Sequence, residues 1–429
     1  MREHPSAATI RSVGDSSIFE REIAFEPSRA AETLREIPAA YGVVALYGSE
    51  GDRPFLTKAA NLRRRLQRLL LPDESQTKRL NLRNRVQRIA WRCTGSEFES
   101  MLVLYRALTL SLGRDEACNR LKLHTPYMLR FAVENRFPRL YVTNRLTRKA
   151  MQQSYGPFPS RAAAERYCDA VLDLFKIRRC YEELVPFPEH PGCVYGEMKK
   201  CIAPCQQRCT DEEYAKEADG VESFLKTHGE SMLAEVAAER DHSSEEMEFE
   251  AAAAAHTQWQ RVKATADLAD EIIAPISELR AVILQPAPSV DEIPQVEVFL
   301  LHAGTITGPG RFSTLGVRHV KEQSAVGSSL FAQPLMLQAV SLDESSSAQV
   351  ESPETRLKAT LAALETKITV PESTGVLSDH LALLRRWYFR PEKQRSGKIL
   401  LSANRKSLDT RQILRHAARI ASGVVGDRE

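Results

Sequence analysis

The chain has 429 residues, 43% of them apolar and 27% charged, with a formal net charge of +3. That length supports about two to four domains with cores of their own, and the composition excludes a disordered or fibrous chain. No apolar run reaches membrane-spanning length and residues 1–30 carry no apolar stretch of the secretory kind, so a cytoplasmic protein with reduced thiols and no membrane partner is expected.

Residues 1–30 read as a leader. A first unit is expected over 31–110. It opens on a strand, YGVVALYG (41–48), then a Gly/Pro turn and an apolar stretch at Phe55 and Leu56. Three helices are predicted next, over 61–71, 76–92 and 97–112, the last apolar almost throughout and therefore buried. A hairpin followed by helices makes a small α+β domain. Between Arg53 and Arg92 stand twelve Lys or Arg against two acidic residues, Asp73 and Glu74. Such a run is often a plain solvated helix face, but its one-sided sign favours contact with phosphate.

A second small unit, 111–210, contains a predicted strand over 138–146, a turn rich in Pro and aromatics, and a helix capped by Ser160. Five cysteines then fall within thirty residues: Cys180, Cys193, Cys201, Cys205 and Cys209. Thiolates at such spacing bind a soft metal or an iron–sulfur cluster, or pair as disulfides, and a reducing compartment disfavours the last. Zinc and iron both accept four thiolates, and spacing alone does not choose between them. Either would knot the Pro-rich loop VPFPEHPGC, which has little core of its own.

Thr210 and Glu213 have the spacing of a capping box and open a helical region over 211–275. Asp211 to Glu250 carries fourteen acidic residues against three basic. Residues 231–272 read as a helical hairpin with an Ala-rich second arm, either a plain αα-hairpin or a docking module. The texture changes over 276–429. AVILQ (281–285), VEVFLLHAG (296–304) and a turn at 308–310 predict a β-meander. A Ser-rich loop (341–352), helices over 354–366 and 377–389, a strand (398–402) and an amphipathic helix (408–422) complete a mixed α+β segment. The fold class expected is α+β and multidomain.

Taken together, these motifs resemble the N-terminal part of UvrC, the nuclease subunit of bacterial nucleotide excision repair, a GIY-YIG excinuclease. YGVVALYG followed by FLTKAANLRRRLQRLL is similar to that family's PGVY and YVGKAKNLRKR. YGPFP, LFKIRRC and CVYGEMKKCIAPC are similar to its next signatures. MEFEAAAAAHTQWQ resembles the UVR motif that docks to UvrB, and VEVFLLHAGTITG and LRRWYF resemble the family's linker. The resemblance implies a GIY-YIG-like small domain, a Cys-rich metal-binding unit and a UVR hairpin. Only about 27 residues follow Ser402, so the family's RNase-H-like nuclease domain is expected to be absent.

The resemblance also implies roles for particular residues. A GIY-YIG site uses tyrosines near the attacking water, an Arg beside the scissile phosphate and a Glu that holds Mg²⁺. Here the two tyrosine positions are Val44 and Phe55, and the metal Glu position is Leu104. Lys58 and Arg65 remain as a catalytic remnant. Lys58, Arg63, Arg64, Arg65 and Arg68 are the expected nucleic-acid contacts. Met247, Phe249 and Trp259 would face a UvrB-like helicase subunit, with hairpin core as the plainer role for Phe249 and Trp259. Cys180, Cys193, Cys201 and Cys205 match the ligands of a four-iron four-sulfur cluster, with zinc as the alternative, and Cys209 lies outside that pattern. The reading is an excision-repair protein that binds DNA and UvrB without incision activity. One alternative is an active, atypical endonuclease using displaced carboxylates at Glu97 or Glu99, which would need Mg²⁺. The other is a metal-containing nucleic-acid-binding regulator outside repair.

Overall fold

The computed structural model describes residues 11–12, 18–49, 51–71, 80–288, 293–317, 351–368, 373–402 and 409–423. The fold is mixed α+β, built on three antiparallel sheets.

The first sheet contains β1 (Arg11–Ser12), β2 (Arg21–Ala24), β3 (Gly42–Tyr47), β4 (Phe55–Ala59) and β5 (Arg88–Cys93), in the order β1-β2-β5-β3-β4. The stretch expected as a leader thus supplies two strands. Alternation along the strands sorts the side chains into two cores. Val44, Leu46, Ile89 and Trp91 point to one face, where helices α1 (Ala30–Glu36) and α2 (Leu62–Leu70) add Leu34, Leu62, Leu66 and Leu69. Val43, Ala45 and Ala90 point to the other face, against Val103, Leu104 and Leu108 of α3 (Glu97–Leu112), which is followed by α4 (Arg114–Leu121). Asn61 caps α2 by accepting from the Arg64 amide, and Ser96 caps α3 by accepting from Glu99.

The helix expected over 76–92 is not present as such. Residues 88–93 form β5, paired on both sides, with β2 and with β3. Val86 and Ile89 imitate a helical spacing, but Ile89, Ala90 and Trp91 are all buried, on alternating faces. Two-sided burial in a central strand overrides local helical pattern.

The second sheet has the order β7-β6-β8-β9, from β6 (Met128–Phe131), β7 (Leu140–Thr143), β8 (Ser154–Gly156) and β9 (Ala274–Pro275). Helix α5 (Arg161–Leu174) packs on it, capped as expected by Ser160. The cysteine loop follows, with a short turn of helix, α6 (Val194–Glu197), and a 3-10 turn at Pro204–Gln206. Next comes α7 (Asp211–Thr227), opened by the predicted Thr210/Glu213 capping box. Helices α8 (Glu230–Glu245) and α9 (Phe249–Ala266) form the predicted antiparallel hairpin before the chain returns to β9.

The third sheet, β12-β11-β10-β13, realises the predicted meander in β10 (Arg280–Pro286), β11 (Gln295–His302) and β12 (Thr305–Ser313), with β13 (Lys398–Leu401) on its edge. Helices α10 (Pro353–Glu365) and α12 (Thr410–Ala421) cover one face, and α11 (Thr374–Tyr388) lies on the other. The Ser-rich loop lies, up to residue 350, outside the described residues. Among the described residues no helix is long and apolar enough to cross a membrane.

Helix α3 joins the first unit to the third. Phe98 meets Phe299 of β11 edge-on at 5.4 Å and Trp387 of α11 at 4.8 Å. Gly95 closes the approach: a Cβ there would stand 1.7 Å from the Pro286 carbonyl oxygen, so only glycine fits. Phe98→Ala should empty the centre of this junction and lower stability by about 3–5 kcal/mol. The check is a denaturant titration, in which the midpoint of the transition followed by tryptophan fluorescence should fall.

Candidate functional site

The sequence directs attention to one corner of the first sheet. Val44 is wholly buried among Leu62 and Leu66, and Phe55 packs, partly buried, against the same core. Leu104 is buried in the opposite core, beside Val43 and Ala45. None of these three side chains can move a proton or bind a cation.

The polar residues around them are engaged. Lys58 Nζ donates to Glu97 Oε1 at 2.5 Å. Arg390, just beyond α11, donates to both oxygens of the same carboxylate, at 2.5 and 3.1 Å. Hydrogen bonds from Arg390 and Lys58 hold the Glu97 carboxyl at about 2, well below the usual range. Sequence reasoning missed Arg390 altogether. It lies 293 positions from Glu97, and no local pattern marks it.

Glu99, two residues further along α3, is the reverse case. It is 1% exposed, and burial, with the nearby Glu297 carboxylate adding to it, pushes its pKa up to about 8. The Gly95 amide donates to its Oε2 at 2.9 Å, while Oε1 has no hydrogen-bond partner. Arg92 stands 4.0 Å away, and Arg311 donates to Glu297 at 3.1 Å.

The α2 arginines divide. Arg63 donates to the Ile37 and Arg35 carbonyls, closing the C-terminal end of α1. Arg65 is half-buried, with its Nε lacking a hydrogen-bond partner. Arg64 and Arg68 are exposed.

All four candidate ligand cysteines, and Cys209, are free thiols. Cys201 and Cys205 are buried, while Cys180, Cys193 and Cys209 are half-buried. Burial, with the neighbouring thiols Cys180, Cys193 and Cys205 adding to it, raises Cys201 to about 11, against the backbone amide of Ala203, which lowers it. The Ala203 amide donates to Cys201 Sγ at 3.4 Å. Backbone ties from Phe187 to Cys205 and from Ile202 to Lys176 pin the loop. Among the described residues no three His, Cys, Asp or Glu side chains are arranged to hold a metal ion.

At the hairpin tip Met247 and Phe249 are 75% and 71% exposed, so neither is core. Trp259 is half-buried and stacks on His256, with ring centroids 6.3 Å apart and planes 6° from parallel. The base of the hairpin is docked: Val262 is buried in the main core, and Arg261 donates to the Asp173 carbonyl of α5.

Residues 127–224, from β6 through the cysteine loop into α7, match the family described as UvrC/Cho excinuclease, middle domain. The chain is similar to UvrABC system protein C of Aliivibrio fischeri, 25% identical over 231 residues, covering 54% of this chain and 37% of that protein. It is 28% identical over 232 residues to UvrABC system protein C of Kocuria rhizophila, covering 53% and 33%. The protein of the same name from Alcanivorax borkumensis is 26% identical over 223 residues, covering 52% and 36%. No solved structure matches. These matches support a member of the UvrC family, and they span about a third of the length of these relatives.

Glu99 makes the first and third units sensitive to pH. Its unfolded-state pKa is near the ordinary 4.5, and in the fold it is about 8. The folded protein therefore holds an extra proton between those values, and stability falls as pH rises across that window, by roughly 1 kcal/mol per unit. Glu99→Gln should flatten that part of a melting-temperature profile against pH.

Proposed function

We propose that this protein acts in nucleotide excision repair as a UvrC-type subunit that binds DNA and a UvrB-like partner and does not itself cut DNA. The observation that carries the reading is the side-chain chemistry at Val44, Phe55 and Leu104. Phosphodiester hydrolysis of the GIY-YIG kind needs a hydroxyl near the water and a carboxylate on the metal. These positions offer two aliphatic side chains and a phenyl ring, packed into two different cores. The displaced carboxylates do not restore the site. Glu97 is held by Lys58 and Arg390, and Glu99 is enclosed.

What remains is suited to binding. Arg64 and Arg68 face solvent on α2 and would meet backbone phosphates. Met247 and Phe249, held out at the tip of a hairpin anchored at its base, would meet the partner. Cys180, Cys193, Cys201 and Cys205 would hold the metal group, with an iron–sulfur cluster favoured over zinc by the family resemblance. Four thiols within mutual influence, one already accepting an amide N–H, supply the soft donors that either group takes, though no three of them are arranged around a common point. Once bound, the group would cross-link the loop within the middle domain.

The protein should be captured by immobilised UvrB. Mixed with UvrA, UvrB, Mg²⁺ and damaged duplex, it should leave the DNA intact. Clear single-site incision would overturn the silent reading, and absence of capture would remove the partner. Anaerobically purified protein should carry iron or zinc in stoichiometric amount, and Cys201→Ser should lose it. Metal-free protein with the same melting temperature as the variant would remove the cluster.

A further inference from the structure

We propose that Arg139, Tyr141 and Tyr181 form a stacking platform for single-stranded nucleic acid, separate from the α2 arginines. The Arg139 guanidinium lies over both rings, 4.8 Å from the centroid of Tyr141 and 4.9 Å from that of Tyr181. The two rings are 6.5 Å apart and inclined at 67°. Tyr141 is fixed on β7, and Arg139, the residue before that strand, donates to the Cys180 carbonyl at 3.4 Å. The cation is thus anchored at the join between the sheet and the cysteine loop.

Tyr181 is 73% exposed, so packing does not explain its position. Arginine covers one side of the ring and water meets the rest. A rigid aromatic ring backed by a guanidinium is a surface on which any base can stack, since every base has a π face. The same loop repeats the pairing: Arg179 lies over Tyr195, 5.6 Å from its centroid, and Tyr195 is 36% exposed. Arg161, at the start of α5, is within electrostatic reach of Tyr181.

Charge around the platform is mixed. Glu182 and Glu183 follow Tyr181 and are exposed. Phosphate attraction is therefore weak here, and the affinity comes from stacking. That selects unpaired bases, because bases in a duplex are already stacked on one another. It also separates this surface from α2, where Arg64 and Arg68 would give salt-sensitive duplex binding. The platform stands or falls independently of that α2 reading.

The test uses the full chain and a short oligo(dT), with a 2-aminopurine oligonucleotide to report stacking. Tyr181→Ala and Tyr141→Ala should each bind the single strand about tenfold more weakly, and Tyr181→Phe, which keeps the ring, should bind like the parent. Quenching of 2-aminopurine should disappear in Tyr181→Ala, with metal content and duplex affinity unchanged. Arg64→Ala combined with Arg68→Ala should weaken duplex binding and spare oligo(dT). Parent-like affinity of Tyr181→Ala for oligo(dT), or equal losses on single strand and duplex, would overturn the proposal. Tyr141→Ala, distant in sequence from the cysteines, keeps the result independent of any disturbance at Cys180.

Discussion

Helix α3 is buried on two sides, and the arrangement of the molecule depends on that. Val103, Leu104, Ala107 and Leu108 serve the core beneath the first sheet, while Phe98, Met101, Leu102 and Tyr105 serve the core shared with the third. A helix with a single apolar stripe would leave the two units free to separate. With stripes on both sides, the first sheet and the third become walls of one structure. An ionised carboxylate at Leu104 would have to be buried among hydrocarbon, at a cost of several kcal/mol unless a metal or cation met it. The apolar side chain of Leu104 is therefore a packing element.

The polar groups on α3 orient this joint. Tyr105 donates to Asp379 at 2.8 Å, and Arg114 grips the same carboxylate with two bonds at 2.7 and 2.9 Å. Glu97 draws in Lys58 from the first sheet and Arg390 from the third unit. Hydrophobic contact supplies attraction without direction, and these bonds set the register. Glu97 and Glu99 show how strongly position governs ionisation. Two residues apart on one helix, one is held charged by two cations and the other is driven towards its neutral form by burial next to a second acid.

The sequence was most legible where the signal was local. The Ser160 cap, the Thr210/Glu213 box, the hairpin and the meander all follow from short-range chemistry that the structure repeats. Strand β5 was misread because Val86, Ile89 and their arginine neighbours also fit a helix, and only pairing on both sides decides the matter. Strand β2 is four residues long and half charged, too short to show a period. At the site, the apolar character of Val44, Phe55 and Leu104 is plain in the sequence, while their assignment to catalytic positions rests on the family resemblance. The pairing of Lys58 with Glu97, the use of Arg63 on the α1 carbonyls and the arrival of Arg390 could not be read there, since each depends on tertiary contact.

The cysteine loop inverts the usual placement of its residues. Of the fifteen large apolar side chains exposed among the described residues, six lie between Tyr181 and Met198, while Cys201 and Cys205 are 8% and 6% exposed. A segment that turns its rings outward cannot rely on its own hydrophobic burial. Backbone bonds to Lys176 and Cys205, and the left-handed turns at Lys199, Ala203 and Gln207, give it a path but little cohesion. Coordinate bonds to inward-facing sulfur would supply that cohesion without using the rings. Such a division leaves the aromatic groups free for contact outside the molecule.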